Sequence, residues 1–250
     1  MMKKIQLIIS YDGTDYAGYQ RQPEQRTVQG TLEVALKRLT GEEIHIHGSG
    51  RTDAGVHAVG QVCHFETVSP IPGERYTYIL RKILPRDLVV RSSQEVSMDF
   101  HSRKSAHWKT YRYSIDTNRV PNVFMRRFQT HDPIPLDPIL MQEAANYLVG
   151  THVFTSLCST KTVVPDHKRT IFSCIIREDQ GIVSIEVSGS GFLYNMVRII
   201  VGTLVEVGRG ERDPQSIPAL LGACDRRLAG PTYPPEGLTL VEVGYAPLEV

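Results

Sequence analysis

Ile171-Phe172-Ser173-Cys174-Ile175-Ile176-Arg177-Glu178-Asp179-Gln180-Gly181-Ile182-Val183-Ser184-Ile185-Glu186-Val187 reads as two β-strands, Ile171 to Arg177 and Ile182 to Val187, separated by Asp179-Gln180-Gly181. A connection this short, with a glycine able to take a left-handed backbone, joins antiparallel neighbours; parallel neighbours need a crossover of about a dozen residues or more. The stretch that follows, from about Phe192 to Val207, is apolar almost all the way round and predicts a largely buried helix. Upstream, Thr110 to Ile115 alternates like a strand. Asp137-Pro138 opens a helix that runs through Leu148 and is closed by Gly150.

The first hundred residues repeat this theme. Ile5, Leu7, Ile9 and Tyr11 alternate with polar positions and end in Asp12-Gly13, a strand followed by a turn. Thr27 is the N-cap of a helix whose Val28, Leu32, Ala35, Leu36 and Leu39 share one face, with Glu33 four residues before Lys37 and Gly41 past the end. Strand-like Ile44 to His47, a second such stretch at Gln61 to Phe65, a helix near Tyr76 to Leu84 and a strand near Leu88 to Arg91 complete it. The expected fold is α+β: two lobes, residues 1–105 and 106–250, sharing a mainly antiparallel sheet with a central active-site cleft.

Apolar residues make up 41% and charged residues 22%, the balance of an ordinary soluble globular protein. The basic start Met1-Met2-Lys3-Lys4 is followed by too short an apolar stretch for a secretion signal, and no run approaches a membrane span. A cytoplasmic protein with no membrane partner is expected. Cys63, Cys158, Cys174 and Cys224 are far apart, in apolar surroundings and without CxxC spacing, which predicts buried free thiols. His45 and His47 alternate along an apparent strand but lack a third ligand, and no metal site is expected. The net charge of +1 points to no partner, yet Arg103, Lys104, Lys109, Arg112, Arg119, Arg126 and Arg127 crowd between His101 and His131 against Asp116 alone. With Trp108, Tyr111, Tyr113, Phe124 and Phe128 interleaved, the segment suits either RNA binding or a solvated loop over core aromatics.

Three constellations could carry chemistry. Gly48-Ser49-Gly50-Arg51-Thr52-Asp53-Ala54-Gly55-Val56-His57-Ala58 places a cation and a carboxylate on a glycine-rich loop that can approach a ligand closely. The same residues also fit a plain turn with a local Arg51–Asp53 pair. In the helix Phe192 to Val205, Arg198 falls in the row Tyr194, Arg198, Val201, Val205 and needs a carboxylate, for which Asp53 is the candidate, or else backbone carbonyls or solvent at the helix edge. In Lys109-Thr110-Tyr111-Arg112-Tyr113, strand alternation puts Lys109 and both tyrosines on one face, where Tyr113 reads as a packing residue.

GSGRTDAGVHA (48–58), KTYRY (109–113), FLYNMVRIIVGTLVEVGRG (192–210) and PPEGLTLVEVGY (234–245) together resemble the tRNA pseudouridine synthase A family, from Tyr11 to Tyr245. The resemblance implies the pseudouridine synthase fold, a homodimer, and isomerisation of uridines 38, 39 and 40 in the tRNA anticodon stem-loop. It further implies Asp53 as the catalytic aspartate, Arg198 as its paired arginine, Arg51 as the residue that helps displace the target base, and Tyr111 as the ring packed on the uracil. It also implies Leu240 as the apolar wall under the base, with Leu238 nearly as good a choice. Lys109, Arg126 and Arg127 are candidate RNA contacts from the basic segment. Val153 and Leu157 depart from the Asp and Phe more usual in the family and bear on local packing or RNA contacts. The isomerisation changes no oxidation state, so no cofactor is expected. A noncatalytic RNA-binding module and a carboxylate-dependent nucleosidase are the competing readings; the second wants two cooperating carboxylates where one suitable loop is found.

Overall fold

Ile5, Leu7 and Ile9 are fully buried on the first strand, β1 (Lys3–Tyr11), in the computed structural model, which describes residues 1–247. The chain divides into two units: Met1–His107 with the chain from Leu240 onward, and Trp108–Thr239. In the first unit α1 (Val28–Thr40) starts at Thr27, whose side chain accepts from the Gly30 N–H, and ends at Gly41 in the left-handed region at φ 79°. Its Val28, Leu32, Ala35 and Leu36 are buried. Next come β2 (His47–Gly48), β3 (His57–Thr67), α2 (Tyr76–Leu80) and β4 (Leu88–Val96). β1 lies between β3 and β4 and is antiparallel to both, with Leu7 opposite Cys63 and Ser93.

Sequence expectation and fold part in three places here. Ile44 to His47 is not a strand beyond the two-residue β2. The alternation of buried and exposed side chains holds, but α1 supplies the hydrogen bonds that a neighbouring strand would give: Ile46 N–H donates to Glu33 at 3.1 Å, and Gln29 Nε2 donates to the Ile46 carbonyl at 3.2 Å. Glu33 therefore turns inward, and Lys37 pairs with Glu43 rather than with Glu33. The helix near Tyr76 is also shorter than expected, because Lys82 and Ile83 close tight turns onto Ile79 and Leu80 ahead of Pro85. Conversely β4 runs on to Val96, since β1 offers it partners along its whole length.

The second unit continues with β5 (Trp108–Asp116), β6 (Thr130–His131), α3 (Pro138–Asn146), β7 (Gly150–Val153), β8 (Lys168–Asp179), β9 (Ile182–Gly189), α4 (Met196–Gly208) and α5 (Ile217–Ala223). The last strand, β10 (Leu238–Gly244), rejoins the first unit from Leu240 on, where it runs so close to β3 that a Cβ on Gly60 would meet the Val241 carbonyl at 2.4 Å. In the second unit β5, β9, β8 and β7 are successive antiparallel neighbours, and β6 adds a short parallel pairing to β5. The β8–β9 hairpin forms as read: Asp179 faces Ile182, and Gln180 and Gly181 both take positive φ, 51° and 77°, as the turn matching the strand twist requires.

Asp137 caps α3 by accepting from the N–H groups of Ile139 and Leu140, with Pro138 at the first helical position. Of the 13 residues in α4, 11 are buried, leaving out Arg198 and Glu206. α3 and α4 approach closely at Gly208, where a Cβ would sit 2.8 Å from Met141 Sδ. α4 begins four residues later than expected, because Asn195 holds a left-handed backbone at φ 59° and Tyr194 turns its carbonyl to the Ser159 N–H. Tyr194 is thus outside the helical row of Arg198. Cys63, Cys158 and Cys174 are buried as expected, and burial pushes the Cys63 and Cys174 thiols up to about 12. Cys224 is exposed instead, at the left-handed end of α5. No helix among the described residues is long and apolar enough to cross a membrane.

Candidate active site

The glycine-rich loop is clamped by its own unit. Ser49 N–H donates to the Val62 carbonyl and Ser49 Oγ to Gln61 Oε1, while Gln61 Nε2 returns a bond to the Gly50 carbonyl. Thr52 is buried, shares a hydrogen bond of 2.8 Å with the Tyr11 hydroxyl, and offers its carbonyl to Tyr19 N–H at 3.0 Å. On the far side Val56 N–H closes a turn onto the Asp53 carbonyl at 3.1 Å, with Gly55 at φ 79°. The segment 13–19 lies directly on this turn: a Cβ on Gly13 would meet the Val56 carbonyl oxygen at 2.0 Å. Gly13 N–H donates to His57 Nδ1 at 2.9 Å.

These bonds fix both peptide neighbours of Asp53, so the half-buried carboxylate is carried by a backbone with little freedom. Arg51 is exposed and forms no ion pair among the described residues, so the local Arg51–Asp53 pair is not made.

In the second unit Arg198 is half-buried. Its Nε donates to the Tyr233 carbonyl at 2.5 Å and its Nη1 to Asn195 Oδ1 at 3.2 Å, and the Tyr233 N–H donates back to the Arg198 carbonyl at 3.1 Å. A backbone carbonyl is one of the partners open to it from sequence, and it orients the guanidinium. Tyr233 is anchored in turn through its hydroxyl to Asp132, which also accepts from Arg209. On β5, Tyr111 is buried with its ring edge-on to Phe192 at 5.2 Å. Tyr113 is fully buried, and its hydroxyl donates to the Pro234 carbonyl at 2.8 Å, the packing role expected of it. Leu238 and Leu240 are both buried; Lys109 and Arg127 are half-buried and Arg126 is exposed.

The Tyr11–Thr52 bond, the Gly13–His57 bond and the Arg198–Tyr233 exchange escaped sequence reading. Only Gly13 carried a signal, as a turn glycine whose true constraint is a neighbour from another segment. His45 lies 3.7 Å from Glu33, while the His47 ring stacks on His64 at 5.1 Å. Among the described residues no three His, Cys, Asp or Glu side chains are grouped to hold a metal ion.

The chain matches the tRNA pseudouridine synthase family over residues 7–103 and 144–246. The tRNA pseudouridine synthase A of Brevibacillus brevis is 52% identical over 244 residues, 98% of this chain and all of that protein. That of Acetivibrio thermocellus is 48% identical with the same coverage, and that of Caldicellulosiruptor saccharolyticus 43%. This chain belongs to the tRNA pseudouridine synthase family. It is an enzyme, an isomerase, so the noncatalytic reading of its basic segment falls away. In this synthase the clamped loop and α4 both lie inside the matched stretches, whereas residues 104–143, with β5 and the basic loop beyond it, lie between them.

Proposed function

We propose that this synthase isomerises uridine to pseudouridine at positions 38, 39 and 40 of the tRNA anticodon stem-loop, with Asp53 as its one indispensable carboxylate. Full-length similarity at 43–52% identity to tRNA pseudouridine synthase A proteins carries the reading. The four motifs that occur in order along the chain support it. In the reaction N1–C1′ breaks, the uracil turns, C5–C1′ forms, C5 gives up its proton and N1 gains one. Atoms and electrons balance without a redox partner. Asp53 acts as a nucleophile toward sugar or base, or as the base that takes a ribose proton, and in each route it reacts as the ionised carboxylate.

A carboxylate kept from bulk water needs a cation, and Arg198 is the partner assigned to it, oriented by its bond to the Tyr233 carbonyl. The target base is stacked in a stem and must be flipped out at a cost of roughly a few kcal/mol. Arg51, exposed on the loop, fills the gap left by the base, Tyr111 packs on the extruded uracil, and Leu240 walls its other side. Lys109, Arg126 and Arg127 contact phosphates. The proposal includes a mainly antiparallel shared sheet with a central active-site cleft, a homodimer that handles one tRNA with both subunits, and action in the cytoplasm. Incubation of the purified protein with an unmodified tRNA transcript, followed by pseudouridine mapping, tests it. Conversion at 38–40 is expected; a transcript left unmodified there overturns the assigned specificity.

A further inference from the structure

Beyond β5 the chain makes a loop, residues 117–129, built around the buried Asp116. One Asp116 oxygen accepts from the Asn118 N–H and from Asn118 Nδ2, the other from the Asn122 N–H at 3.2 Å. Asn122 Oδ1 takes the Phe124 N–H at 3.0 Å, and its carbonyl takes the Met125 N–H. Phe128 and Gln129 N–H both return to the Met125 carbonyl. A loop so thoroughly hydrogen-bonded has a defined shape, and that shape holds apolar side chains out in water: Val120 is 76% exposed and Phe124 86%. Exposing a phenylalanine on a rigid support costs free energy that a flexible loop would recover by folding it back. With Val123 also exposed, three apolar side chains within residues 120–124 face water on a firm support, the kind of surface that a partner covers.

We propose that this loop is an RNA-binding surface in which Phe124 stacks on an unpaired base while Arg119 and Arg126 reach the flanking phosphates. The proposal rests on the reading of the chain as an enzyme acting on tRNA, and names a contact in a stretch that the family match skips. Charge selects the occupant. Residues 117–131 contain Arg119, Arg126, Arg127 and His131 and no acidic residue. Arg119 and Arg126 are exposed, and Arg126 Nη1 donates to the Val123 carbonyl, which lays its guanidinium over the turn that presents the ring. A cation-edged aromatic on a loop whose own carboxylate, Asp116, is buried at its root suits a polyanion whose every unit carries a π face. A second copy of the same loop would instead bring cation against cation.

The test is a binding titration with an unmodified tRNA transcript, run beside sedimentation of each variant. Because the ring is exposed, its replacement leaves the fold intact. Phe124→Ala is expected to weaken tRNA binding about tenfold, Phe124→Leu nearly as much because it keeps apolar area without a π face, and Phe124→Tyr hardly at all. Arg119→Ala is expected to lower the salt slope of binding by about one. Binding by Phe124→Ala equal to that of the parent overturns the proposal, as does full binding by Phe124→Leu. A shift in oligomeric state with tRNA affinity unchanged overturns it in favour of a contact between copies. Loss of binding in Phe124→Ala from a parent that leaves uridines 38–40 unconverted would support the loop assignment while removing the assigned tRNA position.

Discussion

The loop at 48–58 and the loop at 117–129 are built by opposite uses of the backbone hydrogen bond. In the first, bonds arrive from outside: Tyr19 and Val62 hold it in register, and Gly13 lies against it too closely for any side chain. Its charged residues are set by what surrounds them. In the second, the bonds beyond its root are local, made by Asp116 and Asn122 with the next few residues, and they stiffen a projection whose apolar tip meets water. The first arrangement is what a catalytic carboxylate would need, since chemistry tolerates errors well under an ångström; the second, an adaptable ring on a firm stalk, is what capture of a large, variable partner would need.

Asp53→Asn strikes the first loop at its centre and has the largest expected effect. Tritium release from C5-labelled uridine in tRNA, measured in a single turnover, is expected to fall by about 10²–10⁴-fold or more while folding and tRNA affinity stay near parental. Near-parental release would remove Asp53 from catalysis. Should the variant unfold, Asp53→Asn combined with Arg198→Met separates the roles: recovered folding without activity is expected if the two groups pair. Gly13→Ala tests whether the loop is fixed from outside. Its new methyl meets backbone rather than a movable side chain, so a loss of about 1–3 kcal/mol in urea unfolding is expected, together with reduced turnover. Equal stability would mean that the 13–19 segment yields easily, and the contrast between the loops would weaken.

For the second loop, Arg126→Ala with Arg127→Ala is expected to weaken tRNA binding and reduce its salt slope by about two, with little effect on the chemical step. An unchanged slope makes the segment a solvated loop. The smallest effect concerns the stalk. Burial pushes the Asp116 carboxyl up, but the bonds from Asn118 and Asn122 outweigh it and leave it below the ordinary carboxylate range. A depressed folded pKa contributes stability above the unfolded value, about 3.9, that is lost as pH falls through the folded one. Unfolding midpoints taken between about pH 6 and about pH 2 should therefore drop less steeply for Asp116→Asn than for the parent. Parallel curves would show that the carboxylate does not tie the loop.

Sequence periodicity carried much of the fold because β1, α1, α3 and the β8–β9 hairpin each rely on local signals: alternation, a cap, a proline at the first helical position, a turn glycine. It failed where a distant segment supplied the decisive partner. Ile44 to Ile46 looks like a strand, yet its bonds go to side chains of α1. Phe192 to Asn195 has the composition of helix, yet Ser159 takes the Tyr194 carbonyl. The motif residues stood out in sequence by resemblance, whereas the groups that hold them, such as the Tyr233 carbonyl at Arg198, carry no side-chain signature at all.

The hairpin turn at Gln180-Gly181 also grips the root of the second loop. Thr117 donates to the Gly181 carbonyl through both N–H and Oγ1, and Asn118 Nδ2 donates to the Gln180 carbonyl, across 64 and 62 positions of chain. A hairpin closes within about 1–10 μs of its strands meeting, whereas contacts this distant in sequence wait for the chain between them to be gathered in. On that ordering the loop is expected to take its shape on a turn that is already formed, late in folding. Substitutions at Thr117 or Asn118 should accordingly hasten unfolding and leave the folding rate nearly untouched, so that the lifetime of this surface, rather than its formation, is what the grip controls.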